Sequence, residues 1–285
     1  MILKFIDQKI RRAFSNSALQ YEALAGLHKE IGRELTSKIS LDIPSPKILD
    51  VGMGTGWLTK RLKNFFPDSL VVGLDFADGM IDVARQSFEG FQIIQADARE
   101  LPFKEKAFDL VVSNLSYQWV EDLERAFRRS FEVMKSGGTF SLTMFGFETF
   151  KELFEALENS LGNSVGQNFL DKNSAQEKSF FPVRRLPQRG QIEKAFQGAG
   201  FTDVHVDFER IKVRFPDMMG LLQWTKNIGA NKLKKDIYVG KEFLNRTNEY
   251  YNQHFKDAFG IYATFEVVWV SGRKLRELSD ARRQT

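Results

Sequence analysis

The segment KILDVGMGTGWLTKRL, residues 47–62, restricts the chain more than any other. An apolar run ends in Asp50, glycines stand at the alternate positions 52, 54 and 56, and the amphipathic run WLTKRL follows. That is the order of a buried strand, a tight turn and a helix N-terminus. Strand-like runs then recur: LVVGLD, FQIIQAD, FDLVVSN and GTFSLTMF. Between them, WLTKRLKNFF, GMIDVARQSF and LERAFRRSFEVMK carry helical spacing. Alternation of this kind predicts an α/β fold, a mostly parallel sheet with helices on both faces. KSGG at 135–138 reads as a basic helix end followed by a glycine stop.

The flanks read differently. Residues 4–39 are predicted helical, from the recurrence of Ile10, Phe14, Tyr21, Leu24, Leu27, Ile31 and Leu35, with Asn16 or Ser17 capping a second helix. LDIPSPK breaks that pattern. Beyond 147 come a helix over about 148–160, a polar loop LGNSVGQNFLDKNSAQEK and a helix stopped by Gly200. An alternating strand VHVDFERIKVRF, a mostly helical stretch 216–258 and a last strand IYATFEVVWVSGRK complete the pattern. The expected organisation is therefore N-terminal helices over 1–46 and one α/β domain over 47–285. Its helical insertion at 216–258 should cap the carboxyl end of the sheet.

Composition narrows the chemistry. The 285 residues contain no cysteine, which removes disulfides, thiolate metal sites and a cysteine nucleophile. His28, His205 and His254 lie far apart and in no ligand-spaced motif, so no metal site is expected. No apolar run approaches the ~18 residues of a membrane span. The N-terminus carries charge from Lys4 onward, unlike a signal peptide, and a cytoplasmic protein is expected. A net charge of +4 permits an acidic partner without requiring nucleic acid. The 27 phenylalanines suffice for a core and for a deep apolar pocket as well.

The glycine turn selects its ligand by what it lacks. A dinucleotide fingerprint needs G-x-G-x-x-G, but Trp57 stands at its third glycine, and the G-K-S/T of a triphosphate loop is absent. D-x-G-x-G-x-G suits a phosphate-free ligand, a nucleoside with an amino-acid tail lying on bare backbone at Gly52 and Gly54. Asp75, ending the second strand, can accept from both ribose hydroxyls. Asp97, ending the third, can take the exocyclic amine of adenine, with Phe76 and Met80 near the base. Asn114 ends the fourth strand, on the sheet's ligand-binding side. Each also has a plain structural reading: Asp50 as a cap, Asp75 and Asp97 as turn residues, Met80 as core.

Taken in order, D-V-G-M-G-T-G, G-L-D, A-D-A-x-x-L-P-F and F-D-L-V-V-S-N resemble the class I S-adenosylmethionine-dependent methyltransferases. The resemblance implies their Rossmann-like fold with seven strands and S-adenosylmethionine as cofactor. It places Asp50 near the methionine amino group and Gly52, Gly54 and Gly56 on the cofactor floor. Asp75 falls at the ribose, Asp97 and Ala98 at the adenine, Asn114 on the methionine side.

A second resemblance runs nearly end to end. IRRAFSNSALQYEALAGLHKEIG, SNLSYQWVEDLERAFRRSFEVMKSGGTFSLTMFG, LLQWTKNIGAN and ATFEVVWVSGRK are similar to the malonyl-acyl-carrier-protein O-methyltransferases of biotin synthesis. That implies methylation of the free malonyl carboxylate, carried on acyl carrier protein or coenzyme A, in the pathway to pimeloyl. No general base is then needed, and no nucleic acid or membrane partner is expected. The first helices become a lid, with Tyr21, Tyr117, Gln118 and Trp119 as lid and pocket-wall candidates. Docking to an acidic carrier would use Arg184, Arg185 and Arg189, Lys226, Lys232, Lys234 and Lys235. Three readings compete: a methyltransferase of the same fold acting on a quinone or small acid, a non-catalytic cofactor-binding protein or hydroxylating relative, and a nucleic-acid methyltransferase. The last should carry N/D-P-P-Y/F after the fourth strand, where this chain has N-L-S-Y.

Overall fold

The computed structural model describes residues 2–87, 90–161, 186–228 and 241–276. Strand–helix alternation builds the centre: β1 (Lys47–Val51), α3 (Trp57–Phe65), β2 (Leu70–Asp75), α4 (Asp78–Ser87), β3 (Gln92–Gln95), β4 (Phe108–Asn114), α5 (Leu123–Val133) and β5 (Met134–Phe145). Two helices precede it, α1 (Ile2–Leu24) and α2 (Gly26–Ser37). After it come α6 (Lys151–Leu161), α7 (Arg189–Gly198), β6 (Thr202–Phe215), α8 (Met218–Asn227), α9 (Lys241–His254), β7 (Lys256–Asp257) and β8 (Gly260–Arg273).

The strands form one sheet in the order β3-β2-β1-β4-β5-β8-β6. The first five are parallel, and β8 runs antiparallel to both β5 and β6. The expected seven strands make this path, and the two-residue β7 pairs with β8 outside it. Alternate residues of each central strand go to opposite faces of the pleat, and both faces are covered. Ile48 and Leu110 pack with α2, α3 and α6 on one face, while Leu49 and Val111 pack with α5 and α7 on the other. Phenylalanine fills both layers, and in the second its rings contact one another. Phe196 stacks on Phe201 at 4.1 Å, and Phe127 meets Phe196 edge-on at 5.1 Å.

Two local expectations fail for identifiable reasons. Asn16 and Ser17 cap nothing, because α1 runs through them. The Ser17 hydroxyl bonds back to the Phe14 carbonyl, so the helix absorbs it, and the break falls at Ala25. KSGG is no helix stop, because α5 ends at Val133 and β5 starts at once. Residues 135–138 instead slip out of register between the Phe108–Met134 and Leu110–Thr139 pairs, with Gly137 at φ 79°. Lys135 turns onto the Asp109 carboxylate at 2.7 Å rather than completing a helix terminus.

The polar loop, Arg184, Arg185, Lys232, Lys234 and Lys235 lie outside the described residues. Among the described residues no helix is long and apolar enough to cross a membrane.

Candidate active site

The glycine turn closes the carboxyl end of β1. Gly52, Gly54 and Gly56 have φ of 76°, 56° and 86°, a region other residues enter only at a cost. The amides of Gly52 and Met53 donate to the Leu74 carbonyl, and that of Gly54 to Asp75 Oδ2 at 2.9 Å. Asp75 Oδ1 accepts from the Ala77 amide at 2.8 Å. One carboxylate thus ties the turn to the start of α4, and burial pushes its pKa up. A Cβ on Gly52 would sit 1.9 Å from the Ser116 hydroxyl, whereas one on Gly54 would meet nothing within 4 Å. The first glycine is demanded by packing; the second leaves bare backbone facing open space.

That space is a cavity over the carboxyl ends of β1, β2, β3 and β4. Its lining brings together Gly52, Gly54, Asp75, Phe76, Met80, Asp97, Ala98 and Asn114. Asp50 and Gly56 do not line it. Gly56 is the residue before α3. Asp50 is fully buried, its Oδ2 accepting from the Thr59 hydroxyl at 2.6 Å. Its Oδ1 has no partner among the described residues, and desolvation lifts its pKa to about 7. Asp97 shows the opposite balance. Burial alone would raise its pKa, but the Arg99 guanidinium and amide bond to it and hold it below the ordinary value.

Helix α1 forms the opposite wall with Ile10, Phe14 and Tyr21. Ser15 donates to Asp78 at 2.8 Å, and Arg11 reaches the same carboxylate at 3.3 Å. At its other end the Thr55 hydroxyl, in the glycine turn, donates to Glu22. Burial drives the Tyr21 hydroxyl pKa far up, so it stays protonated.

A second chamber adjoins the first. Phe14, Tyr21, Leu115 and Trp119 line both, so the two are separated only by a shared wall. Leu115 holds φ at 52° there, strained backbone of the kind found at functional positions. Gln118 lines the second chamber and accepts from the Phe145 amide at 3.4 Å. Tyr117 lines neither chamber. The short helical turn Tyr117–Trp119 points it inward, where it stacks on Phe127 and its hydroxyl meets Ser130 at 2.6 Å. Arg189 and Lys226 are exposed on α7 and α8, outside both linings. The Arg189 guanidinium donates to the Val206 carbonyl at 2.7 Å.

Sequence reasoning missed Arg99, Ser116 and His28, which the structure adds to the chamber walls. Only Arg99 had a local signal, since D-x-R spacing lets one guanidinium close back on the acid. Ser116 and His28 reach the site through tertiary packing.

A model of a methyltransferase domain matches residues 49–142. The malonyl-[acyl-carrier protein] O-methyltransferase of Geobacter sulfurreducens is 32% identical over 275 residues, covering 94% of this chain and 98% of that protein. The protein of the same name from Acetivibrio thermocellus is 31% identical over 279 residues, covering 94% and 95%. Among solved structures, the YcgJ protein of Bacillus subtilis superposes with a TM-score of 0.57 at 16% identity, over 88% of this chain and all of that one.

Proposed function

The chain belongs to the family of malonyl-[acyl-carrier protein] O-methyltransferases, and from that premise we propose that it methylates the free carboxylate of a malonyl thioester. The observation that carries the reading is the pair of chambers across one shared wall. The first offers bare backbone and two acids; the second is mainly apolar and aromatic, with His28 and Gln118 in its wall.

S-adenosylmethionine supplies an electrophilic methyl group on a positively charged sulfur. The residues present fit it. Gly52 and Gly54 offer a floor without side chains. Asp75 accepts the backbone amides of Gly54, Ala77 and Phe76, and a carboxylate has about four acceptor positions, so capacity remains for a ribose hydroxyl. Asp97 and Ala98 suit the adenine edge, Phe76 and Met80 its faces. Asp50, outside the lining, keeps Oδ1 without a partner, and that oxygen is the acceptor proposed for the amino group of the methionine tail. Asn114 is fixed by donating to the His28 carbonyl at 2.9 Å and accepting from Thr143 at 2.7 Å.

The acceptor carboxylate is ionised at neutral pH, so no residue need remove a proton. An oxygen of the carboxylate bonds to the methyl carbon as the carbon–sulfur bond breaks, and that bond's electron pair stays on sulfur. The reaction cancels two charges, so water exclusion favours it. What the chain must supply is alignment. In this reading α1 and α2 act as the lid, Tyr21, Gln118 and Trp119 as walls, and the 216–258 insertion as the cap. The carrier is acidic, docks on exposed cations and shares the cytoplasm with the enzyme. The methyl ester masks a charge that chain-elongating enzymes reject, which serves the synthesis of biotin's pimeloyl chain.

The test is transfer of labelled methyl from S-adenosylmethionine to malonyl-acyl carrier protein, with acetyl- and succinyl-carrier as controls. Label on malonyl, and none on acetyl, is the expected result. No label on any acceptor despite cofactor binding would overturn the reading.

A further inference from the structure

His28 is 8% exposed, and its Nδ1 has no hydrogen-bond partner among the described residues. An unsatisfied buried polar atom costs about 1–3 kcal/mol, so it calls for an explanation. The ring contacts are aromatic: Tyr21 at 5.6 Å, Phe145 at 5.8 Å and Trp224 at 6.2 Å. A leucine would fill such a place without the polar penalty. The imidazole lines the second chamber, and its own carbonyl receives the Asn114 amide, which lines the first. The side chain therefore stands in the acceptor chamber while its backbone is registered to the cofactor chamber.

We propose that His28 is the acceptor-binding residue: its imidazole donates an N–H to the carboxylate that is methylated, and so selects acids over uncharged acyl groups. The proposal rests on the reading of the two chambers given above.

The charge state supports it. Burial lowers the His28 pKa to about 4, so the ring is neutral at pH 7. The carboxylate loses its charge as the methyl transfers. A cation beside it would stabilise the starting acid more than the transition state and would slow the step. A neutral N–H holds the oxygen in place and opposes the reaction far less. Nδ1 has no protein partner, so no bond within the protein competes for a hydrogen held there. A chamber with such a donor disfavours a ligand that leaves it unpaired, which excludes acetyl where malonyl binds.

The test compares the wild type with His28→Leu and His28→Gln, the second keeping an N–H donor. Methyl transfer to malonyl-acyl carrier protein gives KM and kcat, acetyl-acyl carrier protein serves as competitor, and calorimetry gives S-adenosylmethionine affinity. His28→Leu is expected to raise KM roughly 10-fold or more, the effect of losing one hydrogen bond to a charged group. It should narrow the preference for malonyl over acetyl by a similar factor, with cofactor affinity unchanged. His28→Gln should recover most of both. Unchanged KM and preference in His28→Leu would reduce His28 to packing while leaving the proposed function intact. An equal loss in both variants, accompanied by weaker cofactor binding, would overturn the proposal too. A wild type that labels no malonyl acceptor would end both.

Discussion

At the scale of single residues, two acids in the turn region are buried for different ends. Asp50 keeps an oxygen without a partner, and its carboxyl titrates near 7 against an ordinary 3.8. Between those values the folded protein holds a proton that the unfolded chain has released. Stability of the ligand-free protein therefore falls as pH rises through that window and levels off above it. At 1.36 kcal/mol per unit, the loss is on the order of 4 kcal/mol. Asp50→Asn should remove it, leaving the ligand-free variant more stable than wild type at pH 8 and nearly equal at pH 4, while binding S-adenosylmethionine less well. Urea denaturation at the two pH values is the check, and an equal stability difference at both would show that Asp50 does not titrate on unfolding. Asp75 is the contrasting case, since both its oxygens already hold backbone amides. Asp75→Ala should weaken cofactor binding by about 2–4 kcal/mol, read by calorimetric titration. Unchanged affinity would remove Asp75 from the site.

At the scale of elements, the site depends on how closely α1 lies on α4. A Cβ on Gly79 would come within 2.3 Å of the Ser15 carbonyl oxygen, a backbone atom that cannot rotate away. Alanine in a helix is favoured over glycine by up to about 1 kcal/mol, so Gly79→Ala should tighten α4 taken alone. Here it must displace α1, at about 1–3 kcal/mol. The expected outcome is faster hydrogen exchange along α1 and weaker cofactor binding, since Ile10, Phe14 and Tyr21 leave the cavity wall. Slower exchange in α1 would show that the contact is not limiting. The same scale separates what was legible in the chain from what was not. The carboxyl side of the sheet was legible, because parallel strands bring Gly52, Asp75 and Asn114 to it, with Asp97 two residues beyond the end of β3. Helix boundaries were less so: Ser17 reads as a cap until its hydroxyl is seen bonding to Phe14. KSGG reads as a helix stop until Lys135 is seen paired with Asp109. Gln118 and Trp119 reach the chambers and Tyr117 does not, because three successive residues of a tight turn point in different directions. His28 had no signal at all, since its neighbours are assembled from Tyr21, Phe145 and Trp224.

At the scale of the whole molecule, charge decides how a carrier protein would approach. The chain is only mildly basic, at +4, so attraction of an acidic carrier must come from local clusters rather than from net charge. Lys226 is the best placed of the described candidates. It is exposed on α8, two residues from each of Trp224 and Ile228, which line the second chamber. Arg189 is less suited, because its guanidinium already bonds to the Val206 carbonyl and lies 5.3 Å over the Phe208 ring. Charges at the rim act mainly on the association rate, and salt screens them over about 8–10 Å. Lys226→Glu should therefore lower kcat/KM for malonyl-acyl carrier protein several-fold at low salt, with the difference from wild type shrinking as salt is added. Turnover of malonyl-coenzyme A, which presents no protein surface, should change much less. Steady-state rates on both acceptors across a salt series decide the matter. An equal loss on the two would mean that Lys226 acts on the chamber itself, through α8, rather than on the carrier.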